Sequence, residues 1–324
     1  MSARILIGAL PLRHQPGKFR TMLLNAGFVP VDPPHHENSG ELSPACVAEM
    51  LPGCDGMIAG SEKLDGALFA TCPNLKIIAR TGVGYDAVDV SAARERGIAV
   101  TITPGVNQES VAEQAFGLLL GLTRRIVVNS VDIASGGWNR TMPIPIRGKT
   151  LGLIGLGRIG QAMIPRARAF GMNVIGYDPA VKSSNGIEGI RVTTLEDVIA
   201  ASDVISLHVP MTPDTRQLVR AETIARMKPG VIILNTARGG LIREADMIEA
   251  LRSGHLGGAC LDVTDPEPPL AGNPLRCMPN VIVSPHLGGI DTMSMDDMAT
   301  MAARCIVETL QGCVPPECLV PELK

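Results

Sequence analysis

The chain has 324 residues, of which 45% are hydrophobic and 19% charged, with a formal net charge of −3. That length suits two domains, and the composition excludes a disordered chain. The mildly acidic balance and the 2% aromatic content offer neither a basic field nor a stacking surface for nucleic acid.

The N-terminus, Met1 to Pro11, reads as a first strand and not an export signal. Short β-branched runs follow at Ile5–Gly8, Phe28–Val31, Met57–Ala59, Lys76–Ala79 and Ile98–Ile102, each with a polar or helical connection after it. This alternation predicts a small, doubly wound parallel domain. Asn107–Arg125 predicts a helix with a wide apolar face and a basic C-terminal pair, followed by a loop at Gly136, Gly137, Trp138, Pro143 and Pro145. A second strand series runs through Leu151–Gly155, Asn173–Tyr177, Asp203–His208, Val231–Asn235, Gly258–Asp262 and Val281–Ser284. The Met-rich segment Met293–Leu310 predicts a helix whose methionines pack in a core or an interface. Apolar stretches such as Ala115–Leu122 are too short to cross a bilayer, so no membrane partner is expected.

The eight cysteines contain no C-x-x-C pair and no Cys/His cluster with zinc spacing. They read as reduced thiols of a cytoplasmic protein, and no metal is expected. His35, His36 and Glu37, in a Pro-flanked loop, are the one group that could offer ligands. His208 and His255 read as structural.

Gly155-Leu156-Gly157-Arg158-Ile159-Gly160 is a weak signal alone in a chain with 35 glycines. Its context is stronger. It follows an apolar strand, opens a helix, and precedes a second strand ending at Asp178, 18 residues past Gly160. Glycines there allow a tight turn and close approach to a pyrophosphate, which the helix N-terminus stabilises. The Asp178 carboxylate can bind ribose hydroxyls and repels a 2′-phosphate, so NAD is the expected cofactor. The competing reading is a Gly-rich turn of another βαβ unit.

Arg238, Glu267 and His286 follow strands of the second series, and Asp262 closes one. In a parallel sheet they share the carboxyl edge with the Gly155 loop, where ligands bind. An Arg fork can hold a substrate carboxylate, a His can exchange a proton with an alkoxide, and a carboxylate can keep that His protonated. Singly, each such residue is more often a surface or structural group; their common edge favours a site.

The motifs RTGVGYDAVDV (Arg80–Val90), NQESVAEQAFGLLLGLTRR, IRGKTLGLIGLGRIG, HVPMTPDTRQLV, LNTARGGLI, LDVTDPEPP and SPHLGG follow in order along nearly the whole chain. In them the chain resembles the D-isomer-specific 2-hydroxyacid dehydrogenases, in their phosphoglycerate-dehydrogenase-like branch. The resemblance implies an α/β fold of two doubly wound parallel-sheet domains. A Rossmann NAD-binding domain (103–288) would be inserted into a smaller, flavodoxin-like substrate domain (1–102 and 289–324). It implies an oxidoreductase moving hydride between NAD(H) and a small 2-hydroxy or 2-oxo acid, such as phosphoglycerate, hydroxypyruvate or glyoxylate. It also implies a homodimer in which the helix from Asn107 takes part.

The implied catalytic residues are Arg238, Glu267 and His286. The implied cofactor contacts are Gly155, Gly157, Arg158, Ile159, Gly160, Asp178, Pro210, Thr215, Thr236, Ala237, Arg238, Asp262, His286 and Gly288. The implied substrate contacts are Val83, Gly84, Asn107 and Arg238. One departure stands out. Phosphoglycerate enzymes carry a basic residue after the strand corresponding to Met57–Ala59, and this chain reads Ala59-Gly60-Ser61-Glu62. Formate enzymes place Gln at the position of Glu267. A non-catalytic NAD(H)-sensing scaffold and a phosphite dehydrogenase are the alternatives on the same fold.

Overall fold

Runs of Ile, Val, Leu and Ala, buried on both faces, form the inner strands of two parallel sheets, as expected where helices cover a sheet on either side. The computed structural model describes residues 2–324 other than 38, 39, 41, 184 and 185. Residues 1–107 and 289–324 form one unit, and residues 108–288 a second.

The first unit contains β1 (Arg4–Ile7), α1 (Lys18–Asn25), β2 (Val29–Val31), α2 (Pro44–Met50), β3 (Gly56–Ala59), α3 (Gly66–Ala70), β4 (Ile77–Arg80), α4 (Val90–Glu95) and β5 (Ala99–Thr101). Side chains of Ser43, Asp65 and Asp89 accept backbone N–H groups at the starts of α2, α3 and α4. The sheet order is β2-β1-β3-β4-β5, all parallel. The chain reverses its direction of travel across the sheet between β1 and β3. The unit extends past the 102/103 boundary expected from the sequence, because Thr103 is bonded into it. Its N–H donates to Gly82 O at 2.9 Å, and its Oγ1 accepts from Gly82 N at 2.8 Å.

The second unit opens with α5 (Gln108–Thr123) and α6 (Ile126–Ala134), parted at Arg125, whose φ is 57°. The sequence pattern predicts one helix to Arg125 and a loop after it. The β-branched run Ile126-Val127-Val128 hides α6, since such residues are poor helix formers. Then come β6 (Thr150–Ile154), α7 (Arg158–Ala169), β7 (Asn173–Tyr177), β8 (Arg191–Val192), α8 (Leu195–Ala201), β9 (Val204–Leu207), α9 (Ala221–Ile224), β10 (Val231–Asn235), α10 (Glu244–Ser253), β11 (Leu256–Leu261) and β12 (Val281–Val283). The parallel order is β12-β11-β10-β9-β6-β7-β8. The two-residue edge strand β8 is too short to leave a sequence pattern. The order reverses between β6 and β9, so the carboxyl ends of those two strands flank the switch point, where ligands bind in open α/β sheets.

Helix α5 packs Val111, Ala112, Ala115, Phe116, Leu118 and Leu119 into its own unit. Ile126, Val127, Val131, Ile133, Trp138 and Met142, on α6 and the segment after it, are exposed apolar residues close together in the chain. The last long helix, α11 (Thr292–Leu310), returns to the first unit. Met295, Met298, Ala302 and Ile306 join the core beneath β1, β3, β4 and β5, so two of its methionines are core filling. No helix among the described residues is long and apolar enough to cross a membrane.

Candidate active site

The Gly-rich turn follows β6 at the switch point. Gly155 has φ +100°, and a Cβ there would lie 2.5 Å from the carbonyl oxygen of His208, which follows β9. A Cβ at Gly160 would collide with the Gly155 carbonyl oxygen. Only glycine at both positions lets the β6 turn lie against the β9 loop and the start of α7. Gly157 is the N-cap of α7 and has open space around it. Gly157 and Arg158 are exposed, and Ile159 is half-buried at the first turn of the helix. The free N–H groups of that turn and its positive dipole end suit an anionic group.

Asp178, at the end of β7, lies beside this turn. Its Oδ2 accepts the Leu156 N–H at 2.8 Å, and its Oδ1 accepts Ala180 N–H at 2.9 Å. The segment after β9 is ordered by its own hydroxyls: Thr215 Oγ1 donates to Pro210 O at 2.6 Å and accepts from Thr212 N at 2.8 Å. His208 Nε2 is 2.8 Å from Ser206 Oγ. Burial pushes the imidazole of His208 down to about 4, which keeps it neutral and removes it as an acid–base candidate near pH 7.

Thr236, Ala237 and Arg238 follow β10. Asn235 shapes this turn, with its Oδ1 accepting Ala237 N–H at 3.0 Å and its Nδ2 donating to Arg238 O at 2.8 Å. Arg238 Nη1 donates to Ala237 O at 2.6 Å. A Cβ at Gly239 would overlap the Thr264 carbonyl, so the β10 and β11 loops touch there. Thr236 Oγ1 is buried without a hydrogen-bond partner among the described residues.

Asp262 follows β11 and is buried. Its backbone carbonyl accepts His286 N–H at 2.9 Å. Its carboxylate accepts Ser284 Oγ–H at 2.6 Å, Leu287 N–H at 2.9 Å and Gly288 N–H at 2.7 Å. These four bonds hold the turn after β12, in which His286 takes φ +55°, unusual for a side chain with a Cβ. Glu267 reaches the same turn from the proline-rich loop. Its Oε2 is 2.7 Å from His286 Nδ1, and its Oε1 accepts Thr264 N–H at 3.0 Å. The Glu267 hydrogen bond raises the His286 pKa above the ordinary imidazole value. Desolvation opposes that rise, the charges of Glu267 and Asp262 add to it, and Arg238 works against it.

The structure therefore gathers Arg238, Asp262, Glu267 and His286 at the edge that also carries the Gly155 turn. Three supporting residues escape a reading of the sequence alone. Ser284 bridges Asp262 and Gln114, donating to the former and accepting Gln114 Nε2–H at 3.0 Å. Thr264 positions Glu267. Glu244 braces the same loop by accepting Asp265 N–H at 3.0 Å and Asn273 Nδ2–H at 2.8 Å. Ser284 and Thr264 sit inside the motifs SPHLGG and LDVTDPEPP; Glu244 lies about twenty residues away in sequence and leaves no signal.

Val83, Gly84 and Asn107 belong to the first unit. Val83 is exposed and Gly84 half-buried in the loop after β4, where Gly84 O accepts Arg80 Nε–H at 3.0 Å. Asn107 is buried, and a Cβ at Gly289 would lie 2.8 Å from its Nδ2. His35, His36 and Glu37 form one short turn, and His35 stacks on His14 with ring centroids 4.0 Å apart. No group of three or more metal-ligating side chains occurs among the described residues.

The second unit fits a dinucleotide: a glycine cradle that a Cβ would fill, an open helix N-terminus, a carboxylate at the tip of β7, and the orphaned Thr236 hydroxyl. Comparison with known proteins agrees. Residues 116–288 match the family model described as D-isomer specific 2-hydroxyacid dehydrogenase, NAD binding domain. The chain is 41% identical over 82% of its length to D-3-phosphoglycerate dehydrogenase of Mycobacterium leprae, but spans only about half (51%) of that protein. It is 38% identical to glyoxylate reductase of Thermococcus litoralis, covering 79% of this chain and 80% of that one. The crystal structure of the TT0316 protein from Thermus thermophilus superposes with a TM-score of 0.87 at 38% identity, covering 98% of this chain and 99% of the other. The chain belongs to the D-isomer specific 2-hydroxyacid dehydrogenase family, and its second unit is that family's NAD-binding domain.

Proposed function

We propose that this chain is an NAD-dependent oxidoreductase interconverting a small 2-oxo acid and its 2-hydroxy acid. The observation that carries this reading is the 2.7 Å bond between His286 Nδ1 and Glu267, made at the same sheet edge as Arg238 and the glycine cradle. With Nδ1 engaged by Glu267, Nε2 is the nitrogen left to give a proton to the substrate's carbonyl oxygen in reduction and to take it back in oxidation. Glu267 favours the imidazolium and fixes the tautomer. The Arg238 guanidinium has the charge and fork to hold the substrate carboxylate and polarise the adjacent carbonyl.

Asp178 would hold the cofactor's ribose, and Gly155, Gly157, Arg158, Ile159 and Gly160 its pyrophosphate. Pro210 and Thr215 are assigned to its adenosine end, and Thr236, Ala237, Asp262 and Gly288 to its nicotinamide side. Bound NADH supplies the hydride. Of the first unit, Val83, Gly84 and Asn107 are assigned to the substrate. The curated relatives act on 3-phosphoglycerate or glyoxylate by name, which supports the substrate class. The test is NADH oxidation with a panel of 2-oxo acids, run on the wild type and on His286→Ala. Turnover by the wild type, reduced about 10²–10⁴-fold in the variant, is expected. No turnover with any 2-oxo acid would leave the reading without support and favour a cofactor-sensing scaffold.

We further propose a homodimer formed through α6 and the segment after it. Val131 is 64% exposed, Trp138 76% and Met142 91%, a concentration of apolar surface unusual for a monomer. Sedimentation should show a dimer for the wild type and a monomer for Val131→Glu. A cytoplasmic setting fits the eight free thiols.

A further inference from the structure

The two carboxylate oxygens of buried Asp262 are not equally engaged. Oδ1 accepts Ser284 Oγ–H at 2.6 Å and Leu287 N–H at 2.9 Å, whereas Oδ2 accepts only Gly288 N–H, at 2.7 Å, among the described residues. An ionised carboxylate has about two acceptor sites on each oxygen. Oδ1 is therefore saturated, and the remaining capacity is on Oδ2. Glycine at position 288 keeps that oxygen open, since a Cβ there would lie 2.9 Å from it.

This orientation of Asp262 depends on a chain of two further side chains. Ser284 stands just past β12 and is tied to β11 through its N–H, which donates to Leu261 O at 2.8 Å. Its hydroxyl has one hydrogen, and a carboxylate offers only acceptors, so that hydrogen goes to Asp262. Helix α5 packs against β11 and β12 and brings the half-buried Gln114 to Ser284, with Nε2 3.0 Å from Oγ. With the hydroxyl hydrogen already engaged, this contact works only with the Gln114 amide donating. A donor at that place denies the hydroxyl an acceptor on α5, so Ser284 cannot turn away from Asp262. It also polarises the hydroxyl toward the carboxylate.

We propose that Gln114 and Ser284 are positioning residues that act through Asp262. They hold Oδ1 so that Oδ2 stays free for an amide donor, and they thereby select a cofactor that carries a carboxamide. The proposal rests on the assignment of Asp262 to the nicotinamide side made above. Its consequence is discrimination by hydrogen-bond donor. The nicotinamide carboxamide has an N–H to give to Oδ2, and a methyl ketone in its place has none. A buried acceptor built for a donor disfavours the analogue that lacks one, because the acceptor is then left unpaired. The discrimination weakens once Asp262 can rotate, since its oxygens then find other partners.

The test is a calorimetric comparison of Kd for NADH and for reduced 3-acetylpyridine adenine dinucleotide, which differ only in that group. The wild type should bind NADH at least about tenfold more tightly than the analogue. Ser284→Ala and Gln114→Glu should each weaken NADH by about threefold to tenfold and leave the analogue almost unchanged, so that the ratio falls towards one. Ser284→Thr keeps a hydroxyl and should keep the ratio. Gln114→Glu is nearly isosteric and removes only the donor, so it decides the matter if Ser284→Ala fails to fold. Equal weakening of both cofactors in the variants, or an unchanged ratio, overturns the proposal, because the two residues then merely support the fold. A wild type that binds both cofactors equally overturns it together with the assignment of Asp262. The 2-oxo acid reading is separate from either outcome, since it stands or falls on turnover.

Discussion

The carboxylate of Asp262 holds the backbone of the turn that carries His286, through bonds from Leu287 N–H at 2.9 Å and Gly288 N–H at 2.7 Å, while its carbonyl accepts His286 N–H at 2.9 Å. The left-handed conformation of His286, with φ 55°, is thus sustained by one buried side chain on the neighbouring strand. In Asp262→Asn one accepting oxygen becomes a donor facing N–H or O–H groups. The change should cost about 1–3 kcal/mol of stability. Thermal unfolding with and without NADH measures it, and a Tm equal to wild type would show that the turn is held by other contacts.

Glu267 and His286 set the pH dependence. The Glu267 hydrogen bond raises the His286 pKa, so the protonated form persists above the ordinary imidazole value. Reduction uses the protonated ring and should decline as pH rises through the raised pKa. Oxidation uses the neutral ring and should grow over the same interval. Glu267→Gln keeps the shape and removes the charge, so both limbs should move to lower pH. Superimposable profiles for wild type and Glu267→Gln in kcat/KM would mean that the carboxylate only braces its loop through Thr264.

Removal of the Arg238 fork should lower kcat/KM in both directions while the Kd for NADH changes little. The charge-assisted pairing with a carboxylate and the polarised carbonyl together contribute on the order of 3–5 kcal/mol, or about 10²–10³-fold or more. Fluorescence titration with NADH alongside steady-state kinetics separates the two effects. Near-native kcat/KM in Arg238→Ala would assign carboxylate binding to another group.

Cofactor choice should follow Asp178. Its carboxylate stands at the tip of β7 against Leu156 N–H at 2.8 Å, and Pro179-Ala180-Val181 after it supply no cation for a 2′-phosphate. The wild type should favour NADH over NADPH in kcat/KM, and Asp178→Asn should shrink that ratio by removing repulsion of the phosphate and weakening the hold on the ribose. A wild type indifferent to the two cofactors would remove Asp178 from this role.

Much of this is legible in the sequence. The alternation of short β-branched runs with helical segments marks parallel α/β structure, because buried parallel strands and covering helices carry different hydrophobic periods. Gly155, Gly157 and Gly160 announce a tight turn built for close approach, and Arg238, Asp262 and His286 each follow a strand, which in a parallel sheet places them on one edge. These are consequences of local pattern and of a topology rule, so they need no knowledge of long-range packing.

Other features exist only in three dimensions. Helix α6 is built from Ile and Val, which local propensity does not favour as helix. The support of His286 by Asp262, and of the Glu267 loop by Glu244, joins residues from separate strands and helices. The burial of Arg13 against Glu62 is equally hidden, since the two residues, 49 positions apart, meet only when folding brings β1 beside β3. Local sequence carries backbone propensity and strand order. Which polar groups share a buried volume, and so which charges are free to meet a substrate, is decided by the packing of elements far apart in the chain.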